Sequence, residues 1–304
     1  MKSVFHAEKL IERSLNKKIV ISILALITIV LPLNFLISRY TNANSAHYGS
    51  SALLPGQSKN WKLIFDDEFN GTSLDTTKWV PCFRWGTNTG CASTTTPQTW
   101  YSPGNAIVSN GTLKLKAQNQ PVTNNGTTYP YTSAMITTGP TDNTGSPAKF
   151  LFTYGYMEIR AKVPKGQGLW PAFWALPIDN SRLPELDVSE ILTGAGLTTH
   201  TNNMTYHVID DNIHASGAGW TSAVDLASAF HVYAADWEPD GIHWYVDGIE
   251  RRSAFTDRKN ITAKQMYLLI QLEVGGTWPG SPDSRTPFPS VYAIDYVRVW
   301  QQSH

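Results

Sequence analysis

Glu185-Leu186-Asp187-Val188-Ser189-Glu190 is the stretch that decides how this chain folds. Acidic and apolar residues alternate through it, and Leu183 and Ile191-Leu192 flank it. That alternation predicts a β-strand with one polar and one buried face. Leu186 and Val188 then point into a core, and Glu185 and Asp187 away from it. A regular strand would send Glu190 to the core side. A β-bulge at Val188-Ser189 adds one residue and returns Glu190 to the polar face. The Cα atoms of Glu185 and Glu190 would then stand roughly 13 Å apart, at ~3.3 Å per remaining step. Three close carboxylates repel one another, so a merely solvated strand has no use for them. Hydrolysis of a glycosidic bond does, with one carboxyl as nucleophile and one as proton donor, ~5–5.5 Å apart in a retaining pair. An acidic patch on a surface strand is the alternative, and the surrounding sequence has to choose.

Just upstream lies Gly168-Leu169-Trp170-Pro171-Ala172-Phe173-Trp174-Ala175-Leu176. As a strand it places Trp170 and Trp174 on one face and Phe173 on the other. The excursion Pro177 to Pro184 is short, so this strand and the acidic one are expected to be neighbours, with both tryptophans beside the acids. All 11 Trp lie at or after Trp61. A core uses some of them, but sugar rings also stack on aromatic faces, and the composition leans toward a carbohydrate-binding protein.

The rest of the body, from Trp61, reads as strands and turns. Asn110-Gly111 and Asp247-Gly248 are hairpin dipeptides between apolar runs. Phe150 to Val163, Met266 to Val274 and Tyr292 to Trp300 read as further strands. Regions 119–130 and 277–290 read as loops, and Ser222 to Phe230 is the one stretch suited to a short helix. Many short strands with frequent turns mean an all-β sandwich or barrel. No repeat period is visible.

Residues 1–45 differ from the body. They hold Lys2, Lys9, Arg13, Lys17, Lys18 and Arg39 against Glu8 and Glu12. The overall formal charge of zero therefore conceals a body with four more acids than bases. With no basic run there, a nucleic-acid partner is not expected. Ile19 to Ile37 is an almost unbroken apolar run between Lys17-Lys18 and Arg39. It reads as a secretory signal or a signal-anchor, with a small-x-small site at Ala43-Asn44-Ser45. Residues 46–58 read as a linker and 59–304 as the folded domain. The protein is expected outside the cell, secreted or membrane-anchored, touching membrane only through an uncleaved N-terminus. Cys82 and Cys91 are the only cysteines. Outside the cell a disulfide between them is expected, with two buried thiols as the alternative. No Cys/His spacing supports zinc.

The chain resembles glycoside hydrolase family 16, the laminarinase-like β-glucanases. The resemblance rests on motifs spread over nearly the whole body and on their order. They include Asp67-Glu68-Phe69-Asn70-Gly71, Phe152 to Lys162, Trp170-Pro171-Ala172-Phe173-Trp174, Glu185 to Glu190, Val274-Gly275-Gly276 and Asp295 to Trp300. It implies a jelly-roll sandwich of two curved antiparallel sheets, with a concave cleft for a polysaccharide substrate. It also implies a retaining mechanism: Glu185 as nucleophile, Glu190 as general acid and then base, and Asp187 holding the nucleophile. No cofactor is implied for catalysis. The six-residue form marks the bulged branch, which includes 1,3-β-glucanases and marine galactanases.

By the same resemblance Asn105 and Arg160 are expected to bind sugar hydroxyls, His207 to support Asp187, and Trp170, Trp174 and Trp278 to stack on sugar. Each has a plainer reading as a turn, surface or packing residue. A structural calcium is common in the family, and Glu68, Gly111 and Asp295 occupy the corresponding positions. Ser189 stands where Met is more usual, which bears on fine specificity. Glu273 falls where an uncharged residue is more usual. The expected protein is a monomeric endo-acting β-1,3- or β-1,3/1,4-glucanase. The alternatives are a galactan-active hydrolase, a transglycosylase and, most remote, a non-catalytic glucan-binding module.

Overall fold

The structure is a computed structural model that describes residues 61–302, apart from 83–90, 94–95, 97, 141–145, 180, 182, 195, 210–212 and 255–260. The apolar run 19–37, the proposed cleavage site and the 46–58 linker lie outside the described residues. Among the described residues no helix is long and apolar enough to cross a membrane.

The first half of the domain contributes β1 (Trp61–Asp67), β2 (Val80–Pro81), β3 (Thr99–Tyr101), β4 (Ala106–Ser109), β5 (Thr112–Ala117), β6 (Val122–Asn124), β7 (Thr127–Tyr129), β8 (Tyr131–Thr137) and β9 (Gly155–Lys162). The second half contributes β10 (Leu169–Pro177), β11 (Glu185–Glu190), β12 (Thr201–Ile209), β13 (Ile213–Thr221), β14 (His231–Glu238), β15 (Gly241–Val246), β16 (Ile249–Ala254), β17 (Met266–Val274) and β18 (Ser290–Gln302). One sheet runs β16-β15-β14-β9-β18-β5-β4, with β1 also on β18. The other runs β13-β12-β11-β10-β17-β8-β2, with β3 added parallel to β8. The two are called here the far sheet and the acid sheet.

The predicted sandwich is present, and alternation in the strands explains it. Leu169, Phe173 and Ala175 of β10, Leu186 and Val188 of β11, and Leu268, Ile270 and Leu272 of β17 enter the core between the sheets. Met157, Ile159 and Ala161 of β9 meet them from the far sheet. The intervening residues of the acid sheet face outward. There Ala172, Trp174, Leu176, Met135, Tyr267 and Leu269 form a second apolar cluster with Tyr101, Cys82 and Cys91. Cys82 and Cys91 are disulfide-bonded, with Cα atoms 5.2 Å apart. The bridge thus holds the β2–β3 connection against the outer face of β8, β17 and β10, and the acids lie beyond it.

Both hairpin signals are realised. Asn110 and Gly111 turn β4 into β5 with φ of 54° and 68°, and Asp247 and Gly248 turn β15 into β16 with 53° and 74°. Two positive φ values in succession are what a two-residue hairpin with the sheet's own twist demands. Two expectations need correcting. Ser222 to Phe230 contains turns and bends but no helix, its polar residues being used in local bonds such as Ala227 N–H to Asp225 Oδ1. The 119–130 loop contains the small hairpin β6–β7, joined at Asn124↔Thr127.

Candidate active site

β11 lies between β10 and β12, and its register shows how the acids come together. Trp174 pairs with Asp187, but Phe173 pairs with Ser189, so Val188 is one residue too many. The β12 side shows the same slip: Asp187 faces Thr205 and Glu190 faces Asn203. This is the bulge at Val188-Ser189 expected from the spacing. It leaves Val188 and Ser189 on the core side and puts Glu190 opposite Ala172, on the outward face with Asp187 and Trp174. The Asp187 carbonyl beside the bulge accepts the indole N–H of Trp244, on the far sheet, at 2.8 Å. On the other edge the Asn203 side chain donates to the Glu190 carbonyl at 3.1 Å. Neither Trp244 nor Asn203 was singled out from sequence, because both act across strands or sheets.

Ser189 also needs correcting. It is buried, and its hydroxyl lies 2.7 Å from Oδ1 of the buried Asn202. Its side chain is on the core side, so the replacement of a usual Met belongs to packing under the bulge and not to contact with sugar.

The three acids are mutually close but differently held. Glu185 pairs with His207 across β11 and β12. His207 Nε2 stands 3.0 Å from Asp187 Oδ2. One polar atom each of Glu185, Asp187 and His207 lies within 4.8 Å of the others. Burial is the main cause that pushes the Glu185 carboxyl up to about 9, and the neighbouring Asp187 adds to it. Burial also drives Glu190 well above the usual carboxylate range. The charges of Asp187, Glu185 and Glu273 add to that shift, while the indole of Trp170 opposes it. That indole donates to Glu190 Oε1 at 3.0 Å. The upward shift of Glu190 favours the protonated form, which a general acid needs.

The three tryptophans of this face differ in exposure. Trp170 is half-buried and meets Trp278 edge to face, with centroids 5.5 Å apart. Trp278 is 41% exposed. Its loop lies tight against the end of β10: a Cβ on Gly194 would come within 2.1 Å of the Pro279 carbonyl, and one on Gly168 within 2.5 Å of Pro282 N. Trp174 is on the same face as the acids but buried in the second cluster, so it serves as floor. His207 stands on β12 beside Asp187.

Two residues are not at this site. Arg160 lies on β9 of the far sheet, between core residues Ile159 and Ala161, and so faces away from the core on the opposite side of the molecule. Its guanidinium bonds Asp295 at 2.5 Å and covers Phe230. Asn105 is buried, with its carboxamide shared between Thr132 and Gln118 at 3.2 Å each. Thr132 is on β8, three strands from β11. The sequence could place neither, because it does not say which sheet a strand joins.

Glu68 is bonded by both Nε and Nη2 of Arg298, at 2.7 and 2.9 Å, and Asp295 is taken by Arg160. Gly111 lies beside Asn70. With a guanidinium on each carboxylate, these residues do not fit a calcium ion.

Residues 94–298 match the family model for Glycosyl hydrolases family 16. The chain belongs to this family. It is 34% identical over 251 residues to the endo-1,3-1,4-beta-glycanase ExsH of Rhizobium meliloti, covering 78% of this chain and 51% of that protein. It is 30% identical over 266 residues to a beta-glucanase of Rhodothermus marinus, covering 80% and 86%. Among solved structures, the endo-beta-1,3-glucanase of Pyrococcus furiosus superposes with a TM-score of 0.69 at 30% identity, covering 84% of this chain and 99% of that one. The family 16 domain here thus shares the jelly roll of these enzymes. The chain spans about half the length of ExsH and 38% of the glucan endo-1,3-beta-glucosidase A1 of Niallia circulans.

Proposed function

We propose that this family 16 protein is a retaining endo-β-glucanase acting on β-1,3- or mixed β-1,3/1,4-linked glucan. The observation that carries the proposal is the bulge that brings Glu185, Asp187 and Glu190 to one face, with only Glu190 held by an indole. Glu190 donates its proton to the departing glycosidic oxygen while Glu185 attacks the anomeric carbon. The attack requires Glu185 as the anion. Water, deprotonated by Glu190, then opens the glycosyl-enzyme. Trp170 and Trp278 offer rings for sugar to stack on. The glucan preference is supported by the substrates in the relatives' names. Against a sulfated galactan stands the scarcity of Lys and Arg in the loops, since a sulfated polymer calls for basic subsites.

Carboxyl chemistry of this kind needs no cofactor. Calcium at Glu68, Gly111 and Asp295 is not part of the proposal, and a melting temperature unchanged by chelator is expected. We also propose a monomer, exported by residues 1–45 and cleaved near Ser45 or retained as an anchor; sedimentation and N-terminal sequencing of the medium and membrane fractions test this. The activity is tested by reducing-end release from laminarin, lichenan, carboxymethyl-cellulose, xyloglucan, agarose and carrageenan. Activity on laminarin, with or without lichenan, is the expected result. Activity on agarose or carrageenan alone would move the enzyme to galactans, and silence of a folded protein on every polymer would return it to the binding modules.

A further inference from the structure

A pocket lies away from the acids, at one end of the far sheet. There Thr153 and Tyr154 lead into β9, Glu238 closes β14 with Pro239 after it, and Gln301 and Gln302 end β18. These residues line a cavity of about 310 Å³. That is the lower end of the size range of small-molecule sites, ~300–1,000 Å³, and leaves room for a single sugar ring. β9, β14 and β18 all belong to the far sheet, so the pocket is separate from the face that carries Glu185 and Glu190.

The corner that opens the pocket is held in a conformation it would not choose. Tyr154 has φ of 60°, a left-handed conformation that a bulky side chain rarely adopts. Gly155 follows with φ of 134°, and a Cβ there would collide with the Trp300 carbonyl. The Gln301 side chain fixes the corner by donating from Nε2 to the carbonyls of Thr153 and Tyr154, at 2.9 and 3.3 Å. The Tyr154 ring meets Trp237 edge to face, with centroids 5.0 Å apart. Strain of this kind persists where the surroundings over-determine it, and it clusters at binding sites.

The same bonds decide what the pocket can recognise. Gln301 turns its Nε2 to carbonyls, so its Oε1 is left as an acceptor. Gln302 donates to Glu238 Oε1 at 2.7 Å, so its Oε1 is an acceptor too. Among the described residues, neither these two oxygens nor the Thr153 and Tyr154 hydroxyls meet a hydrogen-bond partner. No Lys, Arg or His is among the lining residues, so they offer an anion no counter-charge. Two acceptors and two hydroxyls around a half-buried tyrosine ring suit a neutral ligand dense in hydroxyl groups. We propose that this pocket is a second glucan-binding site, which takes one glucosyl ring of a chain apart from the cleft. Engaging a long chain at two places strengthens its binding without any new contact at the acids, whereas a short oligosaccharide cannot span both. The inference rests on the reading of the protein as a glucanase.

The test is laminaritriose titrated by calorimetry into the Glu185→Gln protein, alone and combined with Tyr154→Asn or Thr153→Trp. Asn tolerates the left-handed conformation and removes the ring. Trp at position 153 fills the pocket and leaves the Gln301 tether in place, so it serves if Tyr154→Asn does not fold. Two molar equivalents are expected for Glu185→Gln and one for each combination. With Glu185 restored, Tyr154→Asn and Thr153→Trp should each raise KM on laminarin about 3–10-fold and leave kcat unchanged, with no effect on either constant for laminaritetraose. A count of equivalents that stays the same in the folded combinations overturns the proposal, as does a KM on laminarin that neither variant moves. Failure of the wild type to hydrolyse laminarin would instead overturn the glucanase reading, which the count of equivalents does not measure.

Discussion

Each sheet carries carboxyls on the face turned away from the core, yet the two sets are wired differently. On the far sheet the half-exposed Glu68 and Asp295 are paired with Arg298 and Arg160. Arg298 sits across from Glu158 in register and clamps Glu68, and its guanidinium stacks on Tyr296 at 3.9 Å. On the acid sheet Glu185, Asp187 and Glu190 have each other, an imidazole and an indole. The same residue type is paired with guanidinium on one face and crowded with other carboxyls on the other. A carboxylate paired with arginine has no proton to give. Carboxyls crowded together and desolvated must hold protons, and one of them can give its proton up.

The largest expected effect breaks the acid-sheet side of this contrast. Glu185→Gln should reduce laminarin hydrolysis to background while leaving laminarin binding in place, as measured by isothermal titration. Glu190→Gln should cost about 10²–10⁴ in kcat, the usual contribution of a general acid. An unchanged rate in either variant would remove the catalytic difference between the two faces.

The next effects test the far sheet. Arg298→Met leaves Glu68 and the buried Glu158 without their cation. Because the Glu68 side chain is 36% exposed, the loss is expected to be about 2 kcal/mol, below that of a fully buried pair, with turnover unchanged. The urea midpoint reads it. Glu158 adds a pH signature. Burial, only partly offset by Arg298, raises its carboxyl from 4.5 to about 7. The folded protein therefore binds more protons than the unfolded chain between those values, and stability falls as pH rises from about 4.5 to about 7. Glu158→Gln should flatten that slope, worth roughly 3 kcal/mol across the window, in urea midpoints taken from pH 4.5 to 8.

The smallest effect refines the substrate side. Trp278→Ala removes the exposed partner of Trp170 and should raise KM about 3–10-fold with little change in kcat, as expected for the loss of one stacking contact. A fall in kcat with KM unmoved would make Trp278 a support for the Trp170–Glu190 bond.

Legibility from sequence followed the range of the interaction. The Val188-Ser189 bulge, the two hairpins and the β10–β11 pairing were readable because alternation and turn chemistry are local. His207 and Trp278 were reached through resemblance. Arg160 was misplaced because Glu158, Arg160 and Lys162 show the same polar-out pattern whichever sheet they join. Glu273 was noticed as unusual, but its partner Ser93 is 180 residues away, and no local pattern links them.

The sequence by itself determined the strands, which side chains share a face and the bulge that keeps three acids together, since each depends only on the two-residue period of a strand and one extra residue in it. Only the tertiary structure decided which carboxylates meet an arginine and which meet one another. That depends on the order of strands in the sheets and on burial, and these set whether a carboxyl is an ion pair or an acid.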